Sequence, residues 1–459
     1  MKKIIIPFLT VFSYLTCFGQ DVDSTVIRAI YDNELVSDVP VNNLRTLCKE
    51  APGRIAGSAI SLKAINIIEK AIMKMGPDTV YLQDLETYPW SRGIKEEAVT
   101  YFSKNGKFEL HALAIGGSIA TGDRGIKSSI VEVDSFDELK KLGQKNVRGR
   151  IVFFNQPMNP EFINPGRAYG NAGYQRVFGA SEAARYGAIG VVVRSLTLAS
   201  NYEPHTGILR YNDSIAKIPA ICISTLDADS LSKLLKTDSS LKVYFKTNCK
   251  NLPHAKSFNI IAEIKGSEKP KEIITVGAHI DSWDVGEGAQ DDGVGCIHVM
   301  EVIRLFRELG IKPKRTVRIV IFMDEEMHQT GAKKYAETVK QKNEKIYAAY
   351  ESDSGSLLPL GFGCSTEEPA YSKFMALEKY FRPYELHEFY KGDGDVDVYP
   401  LKEFGVPLLN LHPDQQRYFD YHHSVSDRFE AVHPRELKLC GAATASLIYL
   451  IDKLDIFGE

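Results

Sequence analysis

The sequence predicts an α/β protein: a mostly parallel central sheet flanked by helices, with a separate β-rich segment inserted into the chain. After Ser257, short continuous apolar runs alternate with helix-period segments, the rhythm of parallel strands covered on both faces. Between about Gly125 and Asn251 strand-like runs follow one another around a single small-residue helix, without any dense carboxylate cluster. The expected division is therefore residues 1–19 as a signal peptide, 20–124 and 253–459 as two parts of one main domain, and 125–252 as the insertion.

The start "MKKIIIPFLTVFSYLTCFGQD" has a short positive end, an apolar middle and small or polar residues near Gly19, so it reads as a signal cut after Gly19 or Gln20. A lipidated Cys17 is the alternative, and Thr16 and Tyr14 suit it poorly. No later apolar run reaches the roughly 18 residues of a membrane span, so a secreted or periplasmic location is expected. Export leaves Cys48, Cys222, Cys249, Cys296, Cys364 and Cys440 in an oxidising compartment; their wide spacing predicts buried thiols with at most one bridged pair.

From Thr25 to Met75 the apolar period is helical, with Leu62, Ile65, Ile68, Glu69, Ile72 and Met75 on one face and Gly76 as the stop. Two β-rich runs then flank Asn105-Gly106, a hairpin signal. In the insertion, "RIVFFN", "IGVVVRS" and "IPAICIS" are strand-like and "GASEAARYGA" is helical. In the last part, "IITVGAH", "TVRIVIFMDEE", "IYAAYESDSG" and "VPLLNLHP" are strands, and "DGVGCIHVMEVIRLFRELG" and "GAKKYAETVKQ" are helices.

With 459 residues, 44% of them apolar, a large core is expected. Lys+Arg 56 against Asp+Glu 59 gives no basic field, which excludes nucleic acid as a partner. The chemistry concentrates at strand ends. His279, Asp324-Glu325-Glu326 and Asp353 each follow an apolar strand, and open α/β sheets bind ligands at that edge.

Singly, each of these groups has an ordinary structural explanation. A His-x-Asp pair such as His279 and Asp281 is usually a surface hydrogen bond, although a carboxylate beside a ligating imidazole also fixes its tautomer. Asp291 and Asp292 suit a helix N-cap, and one can cap while the other points into the cleft. "DEE" suits a solvated strand end, but after the buried run "VRIVIFM" one Glu can ligate a metal while its neighbour acts as a base. Paired histidines such as His422-His423 are uninformative alone. Together, histidines and carboxylates without ligand cysteines suit a hydrolytic zinc site. Like-charged carboxylates raise one another's pKa unless a cation separates them.

The blocks "HIDSWDVGEGAQDDGVG", "MDEEMHQTGAKKY", "ESDSG", "DVYPLKEFGVP" and "YHHSVSD" resemble, in order and spacing, the di-zinc exopeptidase family of secreted aminopeptidases and carboxypeptidase Q. "APGRIAGS" and the long HxDSWD form resemble the carboxypeptidase Q branch, and "VRGRIVFFN" with "AARYGAIGVVVRS" resembles a protease-associated (PA) domain. The resemblance implies two zinc ions per chain. His279 and Asp353 would hold one, Glu326 and His423 the other, and Asp291 would bridge them. Glu325 would be the general base and Asp281 would orient His279; His422 is the alternative to His423. Family members that read Asp-His-x-Pro carry a histidine where this chain has Val398 after Asp397, so nothing that histidine does is carried over.

The expected function is hydrolysis of dipeptides or short peptides by metal-activated water. The alternatives are a broad aminopeptidase on longer peptides, a non-catalytic peptidase-like binding protein, and a single-zinc glutaminyl-cyclase-like acyltransferase. The absence of a GxSxG elbow argues against an acyl-enzyme. The insertion is expected to wall the cleft or contribute to a homodimer, leaving metal binding to the main domain.

Overall fold

Two eight-stranded sheets organise the chain. The structure, a computed structural model, describes residues 22–103 and 106–458; the expected signal with Cys17, and Asn105 of the hairpin turn, lie outside the described residues.

The first sheet runs in the order Thr79–Thr87, Ala255–Ile264, Arg315–Phe322, Lys269–His279, Lys345–Glu351, Leu408–Pro413, Pro359–Cys364, Glu388–Lys391. Its central four strands are parallel to one another. The strands on either side of these four join them antiparallel. Arg315–Phe322 is buried at every position, which is why its sequence shows no alternation. Helices Val294–Glu308 and Pro434–Lys453 cover one face with the N-terminal helices, and Thr330–Lys342 covers the other. The register sets His279 opposite Phe322 and Gly277 opposite Glu351. The residues that follow these strands therefore emerge side by side at one edge.

The helical stretch expected over 25–75 is three helices, Val22–Val36, Val39–Glu50 and Ala59–Lys74. "APGRIAGS" is the connector before the third, and the Ser58 side chain caps that helix by accepting from the Ser61 N–H. The buried stripe is Ser61, Ala64, Ile65, Ile68 and Ile72. Leu62 falls off that period and is 42% exposed, a correction to the expected face.

The second sheet runs in the order Gly106–Glu109, Glu97–Phe102, Lys242–Lys246, Ile126–Val133, Ile151–Phe154, Gly190–Arg194, Ala220–Ile223, Ala112–Ala114. The hairpin appears as expected, with Phe102 opposite Gly106. Three strands of this sheet, Glu97–Phe102, Gly106–Glu109 and Ala112–Ala114, precede the expected start of the insertion at Gly125. They belong to it through ladders with Lys242–Lys246 and Ala220–Ile223, pairings far apart in sequence. A short ladder of Trp90–Ser91 with Lys250–Asn251 closes the neck where the chain leaves and returns. The expected small-residue helix is the second half of Pro165–Arg185.

All six cysteines among the described residues are buried and free, so the one bridge left open by the sequence is not formed. No helix among the described residues is long and apolar enough to cross a membrane.

Candidate metal centre

His279 ends its strand with its ring already oriented. Its main-chain N–H donates to Asp292 Oδ2 at 3.1 Å, and its Nδ1 donates to the Asp281 carbonyl at 3.1 Å. In the neutral ring the lone pair is thereby placed on Nε2. The Asp281 carboxylate stands 3.8 Å from Nδ1, so Asp281 orients the ring through its carbonyl. Its carboxylate instead accepts from the amides of Asp324 at 2.8 Å, Glu325 at 3.2 Å and Glu326 at 3.4 Å, which shapes the turn after strand Arg315–Phe322.

The two aspartates divide their work. Asp292 accepts from the Gly295 N–H at 3.1 Å and the His279 N–H at 3.1 Å, which ties the start of helix Val294–Glu308 to the strand end. Asp291, joined to it by a cis peptide, points into the cleft. Asp427 fixes the backbone of this turn, its carboxylate accepting from Ala289 at 3.0 Å, Gln290 at 2.6 Å and Asp291 at 3.2 Å. Arg54, fully buried, donates to the carbonyls of Ile280, Glu287 and Gly288 and so staples the whole 280–288 loop.

Five side chains then converge. Asp291 Oδ1 lies 3.2 Å from His279 Nε2 and Asp291 Oδ2 lies 3.2 Å from His423 Nε2. His279 Nε2 is 3.3 Å from Asp353 Oδ1, and His423 Nε2 is 3.1 Å from Glu326 Oε2. One carboxylate thus faces two imidazoles, each of which has a second carboxylate of its own. Charge-assisted hydrogen bonds are shorter, about 2.7–2.9 Å. Donor atoms about 2.0–2.1 Å from a tetrahedral zinc stand about 3.3 Å apart, and this donor set is the nitrogen and oxygen mixture that zinc accepts in hydrolytic sites. The residues present fit two such ions. His422 stacks on His423 with ring centroids 3.5 Å apart and lies 3.5 Å from Asp291 Oδ2, but only His423 also meets Glu326.

The electrostatics depend on cancellation. Burial and then the Asp353 charge push Glu325 well above the usual carboxylate range. Burial and then Asp291 raise Glu326 to about 7. For Asp291, burial is outweighed by hydrogen bonds to His279 and His423, which hold it well below its ordinary value. For His279, burial is outweighed by Asp353 and the neighbouring aspartates, and the ring is pushed up. Glu326 Oε1 has no hydrogen-bond partner.

The sequence did not single out Arg54 or Asp427, although both lie inside quoted blocks. It gave no signal for three residues of the inserted domain, Arg176, His205 and Thr206, that also reach the centre. The Thr206 carbonyl accepts from His423 Nδ1 at 3.3 Å, and the His205 ring reaches the His422 carbonyl at 2.7 Å. Asp397 is buried with both carboxylate oxygens unpartnered. Asp395 lines a cavity of about 600 Å³ with Ser354, Tyr390 and Asn410, and its Oδ2 is unpartnered.

Residues 259–448 match the model of Peptidase family M28. The chain is 33% identical to carboxypeptidase Q of Mus musculus and 34% identical to that of Homo sapiens, each over 88% of this chain and 83% of the relative. A crystal structure of a Peptidase M28 precursor from Shewanella amazonensis superposes with a TM-score of 0.89 at 31% identity, over 94% of this chain and 97% of that one. An aminopeptidase from Aneurinibacillus sp. shares the fold at TM-score 0.64 and 19% identity, over 93% and 95% of the two chains.

Proposed function

The chain belongs to peptidase family M28, and on that premise we propose that it is an exported di-zinc exopeptidase whose preferred substrates are unblocked dipeptides. The observation that carries the metal count is Asp291, whose two oxygens each face a different imidazole. His279, Asp353 and Asp291 would hold one zinc; His423, Glu326 and Asp291 would hold the other. When bound, the two ions supply Lewis-acid activation of water and of the scissile carbonyl.

The remaining work falls to side chains. Glu325 takes the proton of the attacking water and passes it to the leaving amine. Burial raises its proton affinity, which suits a group that must hold that proton between the two transfers. Asp281, by gathering the amides of 324–326, fixes the backbone from which Glu325 and Glu326 project.

A dipeptidase needs a partner for each terminus of its substrate. Asp395 and Asp397 offer unpartnered carboxylate oxygens for an α-ammonium group. For the α-carboxylate the inserted domain offers Arg210, which forms no ion pair among the described residues. Burial lowers the Arg210 guanidinium below its ordinary value, against the opposing charges of Asp324 and Glu325. The inserted domain, bounded by the neck at 90–91 and 250–251, is read as a PA domain. The apolar start of the sequence supports export through a signal peptide.

The test is zinc stoichiometry with a set of blocked substrates. Two zinc ions per chain and cleavage of free dipeptides are expected, with loss of cleavage when either terminus is blocked. Efficient release of N-terminal residues from C-terminal amides would favour a broad aminopeptidase. One zinc with full activity would refute the bridged pair.

A further inference from the structure

We propose that the inserted domain is part of the metal centre: its His205–Thr206 segment, braced by Arg176, clamps the His422–His423 loop and sets the zinc affinity at the half of the centre formed by Glu326 and His423. The proposal rests on the two-zinc reading and runs against the expectation that the insertion leaves metal binding to the main domain.

His423 has a backbone φ of 60°, in the left-handed region. A non-glycine residue there is strained and persists only where its surroundings over-determine it. The surroundings that do so come from the other domain. The Thr206 N–H donates to the His423 carbonyl at 2.9 Å, and the His205 Nδ1–H donates to the His422 carbonyl at 2.7 Å. The carbonyls of His422 and of the strained His423 are thus both held by one short segment.

The same segment sets the tautomer. The Thr206 carbonyl can only accept, so His423 Nδ1, 3.3 Å away, carries the proton and Nε2 presents its lone pair between Asp291 and Glu326. That carbonyl is itself held by Arg176, whose Nη1 donates to it at 3.1 Å while Nη2 donates to the Tyr169 hydroxyl at 2.6 Å. The Tyr169 ring in turn stacks on Phe419 at 4.7 Å and meets the His422 ring edge-on at 5.0 Å. Arg176 is buried and forms no ion pair among the described residues, so its hydrogen bonds are spent on this brace. Gly207 makes room for it: a Cβ there would lie 2.4 Å from the guanidinium carbon.

The experiment compares wild type, His205→Leu, His205→Asn and Arg176→Met in the full chain. Zinc affinity is measured by chelator competition, and the ligand field by the absorption of the cobalt-substituted proteins. His205→Leu removes the donor, whereas the Asn amide can replace Nδ1–H. Loss of a hydrogen bond behind a ligating histidine typically costs 10–100-fold in metal affinity. His205→Leu and Arg176→Met are expected to weaken one of the two ions by that factor and leave the other unchanged. His205→Asn should restore most of the affinity and the cobalt spectrum. Two tightly held ions in both His205→Leu and Arg176→Met would overturn the proposal. Equal loss of both ions with a lowered melting temperature in those two variants and in His205→Asn would also overturn it, since that marks a purely structural contact. A wild type that binds a single zinc would instead refute the two-zinc reading itself.

Discussion

Replacing His298 with glutamine should remove about 2 kcal/mol of acid sensitivity from the fold. The ring lies fully buried in helix Val294–Glu308, with Nδ1 2.9 Å from Ser352 Oγ and Nε2 3.2 Å from Ser356 Oγ. Two hydroxyls suit a neutral imidazole, which donates from one nitrogen and accepts at the other. Burial alone pushes the ring from 6.5 down to about 3. The folded chain therefore keeps His298 neutral through a window in which the unfolded chain binds a proton. The full contribution is present above pH 6.5 and is lost as pH falls from there toward about 3. At about pH 5 the unfolded state has gained roughly 1.5 pH units at about 1.36 kcal/mol each, which is about 2 kcal/mol. Glutamine keeps a donor and an acceptor but does not titrate. Urea unfolding of both zinc-stripped proteins at about pH 7.5 and about pH 5 isolates the residue, because the other groups cancel in the difference. Equal pH dependence in the two proteins would refute the reasoning. The consequence reaches the centre, since Ser352 immediately precedes Asp353.

The roles of the adjacent glutamates separate by what each variant loses: Glu325→Gln should lower kcat by about 100-fold or more with zinc retained, whereas Glu326→Gln should lose zinc, both read by kinetics and metal analysis. Arg210→Gln should raise KM for free dipeptides and leave C-terminally amidated analogues unaffected; an equal effect on both would detach Arg210 from carboxylate recognition. Among the described residues Arg304 is the one cation paired with the fully buried carboxylates of Glu34 and Glu301, so Arg304→Met should destabilise by about 3–5 kcal/mol in denaturant unfolding, and adding Glu34→Gln should recover part of it.

What the sequence made legible follows from where each signal resides. The strands Lys269–His279, Arg315–Phe322 and Lys345–Glu351 could be read because burial on both faces writes a continuous apolar run into the chain itself. The true start of the inserted domain could not, since Glu97–Phe102 belongs there only by pairing with Lys242–Lys246. The same distinction divides the centre. His279, Glu325, Glu326 and Asp353 carry ionisable side chains at strand ends, and Asp291 and His423 carry theirs in turns between elements, so residue type alone marks all six as candidates. The Thr206 contribution is a carbonyl, which every residue has, and the His205 contribution depends on two domains meeting.

The dense carboxylates of the 279–295 stretch and its neighbours resolve by their partners. Asp281, Asp292 and Asp427 together accept eight backbone N–H groups, and a buried carboxylate supplied with amides is already stabilised. These three are scaffold. No backbone N–H reaches the carboxylates of Asp291, Asp353 or Glu326 among the described residues; their inward oxygens meet only imidazole nitrogens that are themselves ligand types. Burying three carboxylates that share two imidazoles leaves an excess of negative charge that the protein does not neutralise. In the proposed two-zinc centre a divalent cation on each side of Asp291 would do so, and would put the surplus charge where Lewis acidity is needed. Spatial proximity alone would have put all six acids in one class. The amide hydrogen bonds are what separate those that build the turn from those proposed to hold the metal.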